Sequence, residues 1–239
     1  MNPLNFSHPT ALLLIDNQNG FTHPTHWGTT RSNPSYETNL SSLLTSFRRA
    51  STTTTTTPNI QIIHIFHSST SPTSPLHPKY IFPKSNSNSN SNSEKKGIDP
   101  LPGCSPLRNE KTIYKTVNSS FIGTDLEAYL REQGIRQLIV AGLTTDHCVS
   151  TTIRMAANLG VVDRYPSGPV ELNPETGEHR GGMGEVDQGR IVLVGDATAT
   201  WAKGGWDAET VHQVSVASLE GEFAEVLSTQ EVVRALEGI

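Results

Sequence analysis

The stretch Leu138-Ile139-Val140-Ala141-Gly142-Leu143-Thr144-Thr145-Asp146-His147-Cys148 constrains what this chain can fold into more than any other. An apolar run of strand length passes through a glycine and two threonines into a cysteine, and residues 149–159 then carry a helical pattern. A buried strand feeding directly into a helix is the unit of a parallel sheet covered by helices. Cys148 then falls in the first turn of the helix, just past a strand end. In an open parallel sheet, ligands bind in the crevice beyond the strand ends. Free N–H groups and the positive end of the helix dipole are expected to lower a thiol pKa there. The same cysteine also reads as a small buried hydrophobe at a helix start.

The rest of the chain alternates in the same way. Strands are expected over residues 11–15, 60–66, 112–115, 137–141, 190–194 and 224–227, and helices over 36–50, 125–133, 146–159, 207–219 and 230–236. In the second helix Thr124 stands at the N-cap and Gly134 just past the end, and Leu126, Tyr129 and Leu130 recur on one face. The chain has 239 residues, enough for one large α/β domain with a full core.

Two further strand ends carry chemistry. Ala11-Leu12-Leu13-Leu14-Ile15 runs into Asp16, Asn17, Gln18, Asn19, Gly20 and Phe21, and Lys111-Thr112-Ile113-Tyr114 runs into Lys115. A carboxylate, an ammonium and a thiol at three strand ends suit nucleophilic acyl transfer. Asp16 accepts the thiol proton and later returns it to a leaving nitrogen. Lys115 supplies a charge that favours the thiolate. Taken singly, Asp16 also reads as a turn cap and Lys115 as a solvated strand end.

With these motifs in this order, from about Ala11 to the C-terminus, the sequence resembles the isochorismatase-like cysteine hydrolases. The family includes nicotinamidases, N-carbamoylsarcosine amidohydrolases, ureidoacrylate amidohydrolases and isochorismatases. The matching residues are Leu13 to Gln18, Lys115 with Asn118-Ser119-Ser120-Phe121, Gly142 to Val149, and Val194-Gly195-Asp196-Ala197. The resemblance implies a three-layer α/β/α fold around a central, mostly parallel six-stranded sheet, and a catalytic triad of Asp16, Lys115 and Cys148. It implies an oxyanion hole from the backbone N–H groups of Thr144 and Cys148, with a cis peptide at Leu143–Thr144. It implies hydrolysis of a C–N bond in a small amide or carbamoyl compound through a thioester. Vinyl ether hydrolysis of the isochorismatase type, which dispenses with the cysteine, is the alternative. A non-catalytic binding paralogue is the other. Phe21, Trp27, Ser120 and His147 are expected at the substrate.

Other classes are excluded on composition. The formal charge is −5 and no basic stripe appears, which argues against nucleic acid. The longest apolar runs are about half the length that crosses a bilayer, and residues 1–10 carry no signal core. A cytoplasmic protein acting on a small molecule, assembled as a dimer or tetramer, is expected, with no cofactor. Gly-x-Gly-x-x-Gly is missing after the first strand, so a dinucleotide site is not expected. Cys104 lies in Pro102-Gly103-Cys104-Ser105-Pro106 and reads as an incidental loop thiol.

No metal is expected either. His64 and His67 fall on opposite faces of one strand, and no Asp-x-His cluster of the nicotinamidase kind is present. His23 and His26 flank the expected pocket mouth, and His212 sits in a helix where a neighbouring carboxylate could pair with it. Loop expansions are expected near residues 51–58, 85–97 and 163–189 within the single domain. The first two are Thr-rich and Ser/Asn-rich and cannot bury a core. The third is long enough to act as a lid or an interface arm.

Overall fold

The computed structural model describes residues 4–53, 60–83, 94–166, 168, 171–180 and 186–238. In chain order the elements are β1 (Thr10–Ile15), α1 (Tyr36–Thr53), β2 (Ile60–His67), β3 (Lys111–Lys115), α2 (Leu126–Glu132), β4 (Gln137–Leu143) and α3 (Ser150–Leu159). A short antiparallel pair follows, β5 (Glu171–Leu172) and β6 (His179–Arg180), then β7 (Arg190–Ala199), α4 (Ala208–Ala217), β8 (Glu225–Leu227) and α5 (Thr229–Glu237). Six strands form the central sheet in the order β3-β2-β1-β4-β7-β8. Every adjacent pair is parallel, so the expected mostly parallel sheet is wholly so.

β1 shows why the layers form. All six of its residues are buried, because helices cover both sheet faces. Its side chains alternate between two cores. Leu12 and Leu14 share one core with Tyr36, Leu40, Leu44 and Phe47 of α1 and Val232 and Leu236 of α5. Leu13 and Ile15 share the other with Leu126 and Leu130 of α2 and Ile153 of α3. Each fully buried leucine contributes about 1.5–3 kcal/mol relative to exposure.

The strand order reverses at β1. The chain steps outward from β1 through β2 to β3, then returns to the other side of β1 for β4, β7 and β8. The crevice beyond the carboxyl ends of β1 and β4 is therefore the topological switch point. Gly142 sits there opposite Ile15, with φ of +126°. A Cβ at Gly142 would lie 2.0 Å from the Ile15 carbonyl oxygen, so only glycine lets the two strand ends approach.

The expected helix over residues 146–159 divides in two. Thr145–Val149 is a π-type turn, with the Val149 N–H donating to the Thr144 carbonyl across five residues, and α3 starts at Ser150. Cys148 thus belongs to a widened turn rather than to regular helix, a device frequent at functional sites. α1 also runs three residues into the Thr-rich segment; residues 54–58 of it, and Ser85–Ser93, lie outside the described residues.

The 163–189 segment is rooted away from the switch point. Arg136, immediately before β4, donates to the carbonyls of Val162 (2.6 Å) and Asp187 (2.9 Å) and pairs with the Asp187 carboxylate. Asp163 accepts from the Gly189 N–H at 2.8 Å. Both roots lie at the amino ends of β4 and β7, opposite the edge where Asp16 and Cys148 stand.

Candidate active site

Three strand ends converge at the switch point. Asp16 follows β1 in a left-handed conformation (φ +54°), held by its N–H to the Ile65 carbonyl at 2.8 Å. A non-glycine residue adopts this conformation only where its surroundings impose it. Lys115 ends β3, two strands away, and its long side chain reaches back across the end of β2. Its Nζ donates to Asp16 Oδ2 at 2.7 Å and to Cys148 Sγ at 3.2 Å. Lys115 is 1% exposed and Asp16 fully buried, so the lysine is not a solvated strand end. Asp16 Oδ1 is buried without a hydrogen-bond partner among the described protein atoms.

The electrostatics of the thiol differ from the expectation. Burial pushes the Cys148 thiol up, the Asp16 carboxylate beside it pushes it further, and the Lys115 ammonium only partly offsets both. Desolvation outweighs the local positive charges because the sulfur is enclosed by the π-type turn and the β-strand ends. The direction is thus opposite to that expected from the helix-start position.

Asp16 and Cys148 line a cavity of about 310 Å³. That volume is at the small end for ligand sites and suits a substrate of few heavy atoms. Phe21 and Trp27 form one wall, stacked with ring centroids 4.5 Å apart. The Trp27 indole N–H donates to the Gly20 carbonyl at 2.8 Å, which fixes the ring. Ser69, Ser71, Thr73 and Ser74 form a hydroxyl-rich wall, and His26, His67, Leu76, Asn118, Thr144 and His147 complete the lining. Thr144 follows the cis Leu143–Thr144 peptide, and its hydroxyl is buried without a partner among the described residues. His147 is exposed at the rim, its side chain 58% accessible.

Not every residue expected at the substrate reaches it. Ser120 is fully buried behind the site, where its hydroxyl and N–H both meet the Thr152 hydroxyl, at 3.0 and 3.1 Å. It ties the segment after β3 to α3. His212 also lies behind the site, 2.9 Å from the Thr145 hydroxyl, so it supports the turn and does not pair with a carboxylate. Cys104 lies in its turn-rich loop but is buried in the core cluster with Tyr36, and burial raises its thiol to about 11.

Two residues carry more than the sequence reading assigned them. Gln18 is fully buried; it accepts from the His67 N–H at 2.8 Å and donates to the His67 carbonyl at 3.0 Å, locking the end of β2 beside that of β1. His67 is the register partner of Lys115, and its Nδ1 lies 3.2 Å from Lys115 Nζ. Strand alternation separated it from His64, which turns instead to Glu110 at 2.8 Å. Knowing that β2 pairs with β3 would have revealed the rest.

The expectation of no metal-ligand cluster near Asp16 is corrected in geometry. Ligand atoms of Asp16, His67 and Cys148 lie within 4.8 Å of one another, a spacing an ion could bridge. The Lys115 ammonium already lies against all three, and a divalent ion would face its charge. Dialysis against a strong chelator is therefore expected to leave turnover unchanged. Loss of activity on chelation, with recovery on added zinc or iron, would overturn this.

Known proteins resemble this chain in sequence and fold. The Isochorismatase domain matches residues 10–231. The uncharacterized isochorismatase family protein YrdC of Bacillus subtilis (strain 168) is 34% identical over 228 residues, 93% of this chain and 94% of that protein. A Chromobacterium violaceum ATCC 12472 structure, described as that of a hydrolase of the isochorismatase family, superposes with a TM-score of 0.73 at 30% identity and full coverage of both chains. A cysteine hydrolase from Pseudomonas syringae pv. phaseolicola 1448A shares the fold, with a TM-score of 0.68 at 20% identity, covering 100% of this chain and 96% of that one. The parallel sheet with its site at the β1/β4 switch point, the matched span and these relatives have one account: the chain belongs to the isochorismatase family.

Proposed function

We propose that the protein is a cysteine hydrolase that cleaves the C–N bond of a small amide or carbamoyl compound through a thioester. One observation carries the reading: a single buried ammonium, Lys115 Nζ, is within hydrogen-bond reach of both a buried carboxylate, Asp16, and a cavity-lining thiol, Cys148. A vinyl ether hydrolase has no need of that thiol.

The steps follow from the groups present. The raised thiol calls for a base, and Asp16 takes its proton as Sγ bonds to the substrate carbonyl carbon. The carbonyl π electrons move to oxygen, where the N–H groups of Thr144 and Cys148 serve as donors. As the C–O double bond re-forms, the C–N bond breaks and protonated Asp16 delivers its proton to the departing nitrogen. Water then attacks the thioester, losing a proton to Asp16; the C–S bond breaks to release the acid, and Asp16 returns that proton to the departing sulfur, restoring the thiol and the carboxylate. Lys115 stays protonated throughout and balances whichever of Asp16 and Cys148 bears the negative charge.

The test is a panel of small amides, ureido acids and isochorismate, with ammonia or amine release measured and hydroxylamine added to trap a thioester. Amine release with hydroxamate formation is the expected result. Turnover of isochorismate alone, with no hydroxamate from any amide, would replace this reading with ether hydrolysis.

A further inference from the structure

We propose that His67 is a positioning residue that holds the Lys115 ammonium in place as its third acceptor. An ammonium has three N–H donors. Those of Lys115 have three partners within reach, Asp16 Oδ2 at 2.7 Å, Cys148 Sγ at 3.2 Å and His67 Nδ1 at 3.2 Å. For Nδ1 to accept, the imidazole must be neutral with its proton on the other nitrogen. The ammonium at 3.2 Å can only donate, which favours that state. Burial and the adjacent Lys115 charge both lower the histidine pKa.

The imidazole is itself held on both sides. Its backbone N–H and carbonyl are clamped by the Gln18 amide, which also donates to the Ile98 carbonyl at 3.0 Å. The parallel register sets His67 beside Lys115. Without Nδ1, one N–H of a buried cation loses its partner, a costly state. Nζ would then shift toward Asp16 and away from the sulfur. The consequence falls on the thiol, which needs that charge to ionise, so His67 acts on Cys148 through Lys115. The proposal rests on the cysteine-hydrolase reading, and its test is arranged so that the two fail separately.

The experiment compares His67→Leu, which removes the acceptor, with His67→Asn, whose amide oxygen can take the place of Nδ1. The first readout needs no substrate: the rate of Cys148 alkylation by iodoacetamide across pH, followed by peptide mass to separate it from Cys104. His67→Leu is expected to slow alkylation about tenfold at each pH, equivalent to a thiol shift of about one unit, and His67→Asn to restore it to within about twofold of wild type. On a confirmed substrate, kcat should fall about tenfold in His67→Leu with KM changed much less, and recover in His67→Asn. Equal loss in both variants, an unchanged alkylation profile in His67→Leu, or a change confined to KM would overturn the proposal. The predicted alkylation pattern in a protein that hydrolyses no amide would leave His67 as assigned and overturn the cysteine-hydrolase reading alone.

Discussion

Cys148→Ala is expected to abolish turnover, with kcat falling on the order of a thousandfold or more, while the protein stays folded. The sulfur lies on the cavity wall within 4.8 Å of the Asp16 carboxylate, and the proposed thioester cannot form without it. The structural cost is small. The side chain is buried but packs against polar groups as well as core, and removing one sulfur costs roughly 1 kcal/mol. Asp16 and Lys115 keep their ion pair at 2.7 Å, so no buried charge is stranded. Steady-state kinetics beside thermal unfolding check both halves. Near-wild-type rates in a folded variant would remove covalent catalysis from this site and raise ether hydrolysis in its place.

Lys115→Met is expected to damage both activity and stability. Asp16 and Lys115 side chains have no solvent exposure, and their contact is the sole salt bridge described for either. Methionine keeps the length and much of the volume but removes the charge. The Asp16 carboxylate is then an uncompensated buried charge, a change that costs about 3–5 kcal/mol when one partner of a buried pair is deleted. Much of that loss is avoided if the carboxylate takes up a proton, and a protonated Asp16 is no longer a base. Turnover is therefore expected to fall at least about a hundredfold, the lower end for a positioned proton-transfer group. The measurements are kcat/KM and the unfolding midpoint in denaturant. A variant as active and as stable as wild type would mean that the charge of Lys115 takes no part in the site.

The two variants separate chemistry from architecture. Removing Cys148 takes a reacting atom from a site whose charges remain balanced, so activity falls alone. Removing Lys115 upsets the balance that lets a carboxylate persist in the core, so both quantities fall together. The fully buried lysine also rules out substituting by size alone: a shorter apolar residue would add a cavity to the stranded charge.

Much of this site was legible in the linear chain, for a physical reason. β1 and β4 are buried on both faces, so they read as unbroken apolar runs, and a charged or nucleophilic residue closing such a run stands out. Asp16 and Cys148 are found that way, and Lys115 by the β-prone run it ends. The alternation of strands and helices with short caps likewise determined the layers, since each element must bury an apolar face. The glycine before the cis turn was visible too, although only the 2.0 Å approach to Ile15 explains why no side chain fits there.

What the sequence could not determine depends on distances between elements remote along the chain. Alternation assigns His67 a face of its strand, but the sheet order β3-β2-β1 is what sets it beside Lys115 and Asp16. The helix-start position of Cys148 argued for a lowered thiol pKa. The folded enclosure reverses the sign, because desolvation depends on everything packed around the sulfur and not on its neighbours in sequence. Ser120 and Cys104 were misplaced for the same reason: a polar residue in a motif and a thiol in a turn-rich loop say nothing of which way the side chain turns. The side of the sheet on which the 163–189 segment is rooted followed only from the Arg136 contacts. Local pattern thus pointed to the residues proposed to carry the chemistry and to the elements that hold them. Tertiary packing alone decided their spacing, their desolvation and their charge states, since those are sums over neighbours that the fold brings together.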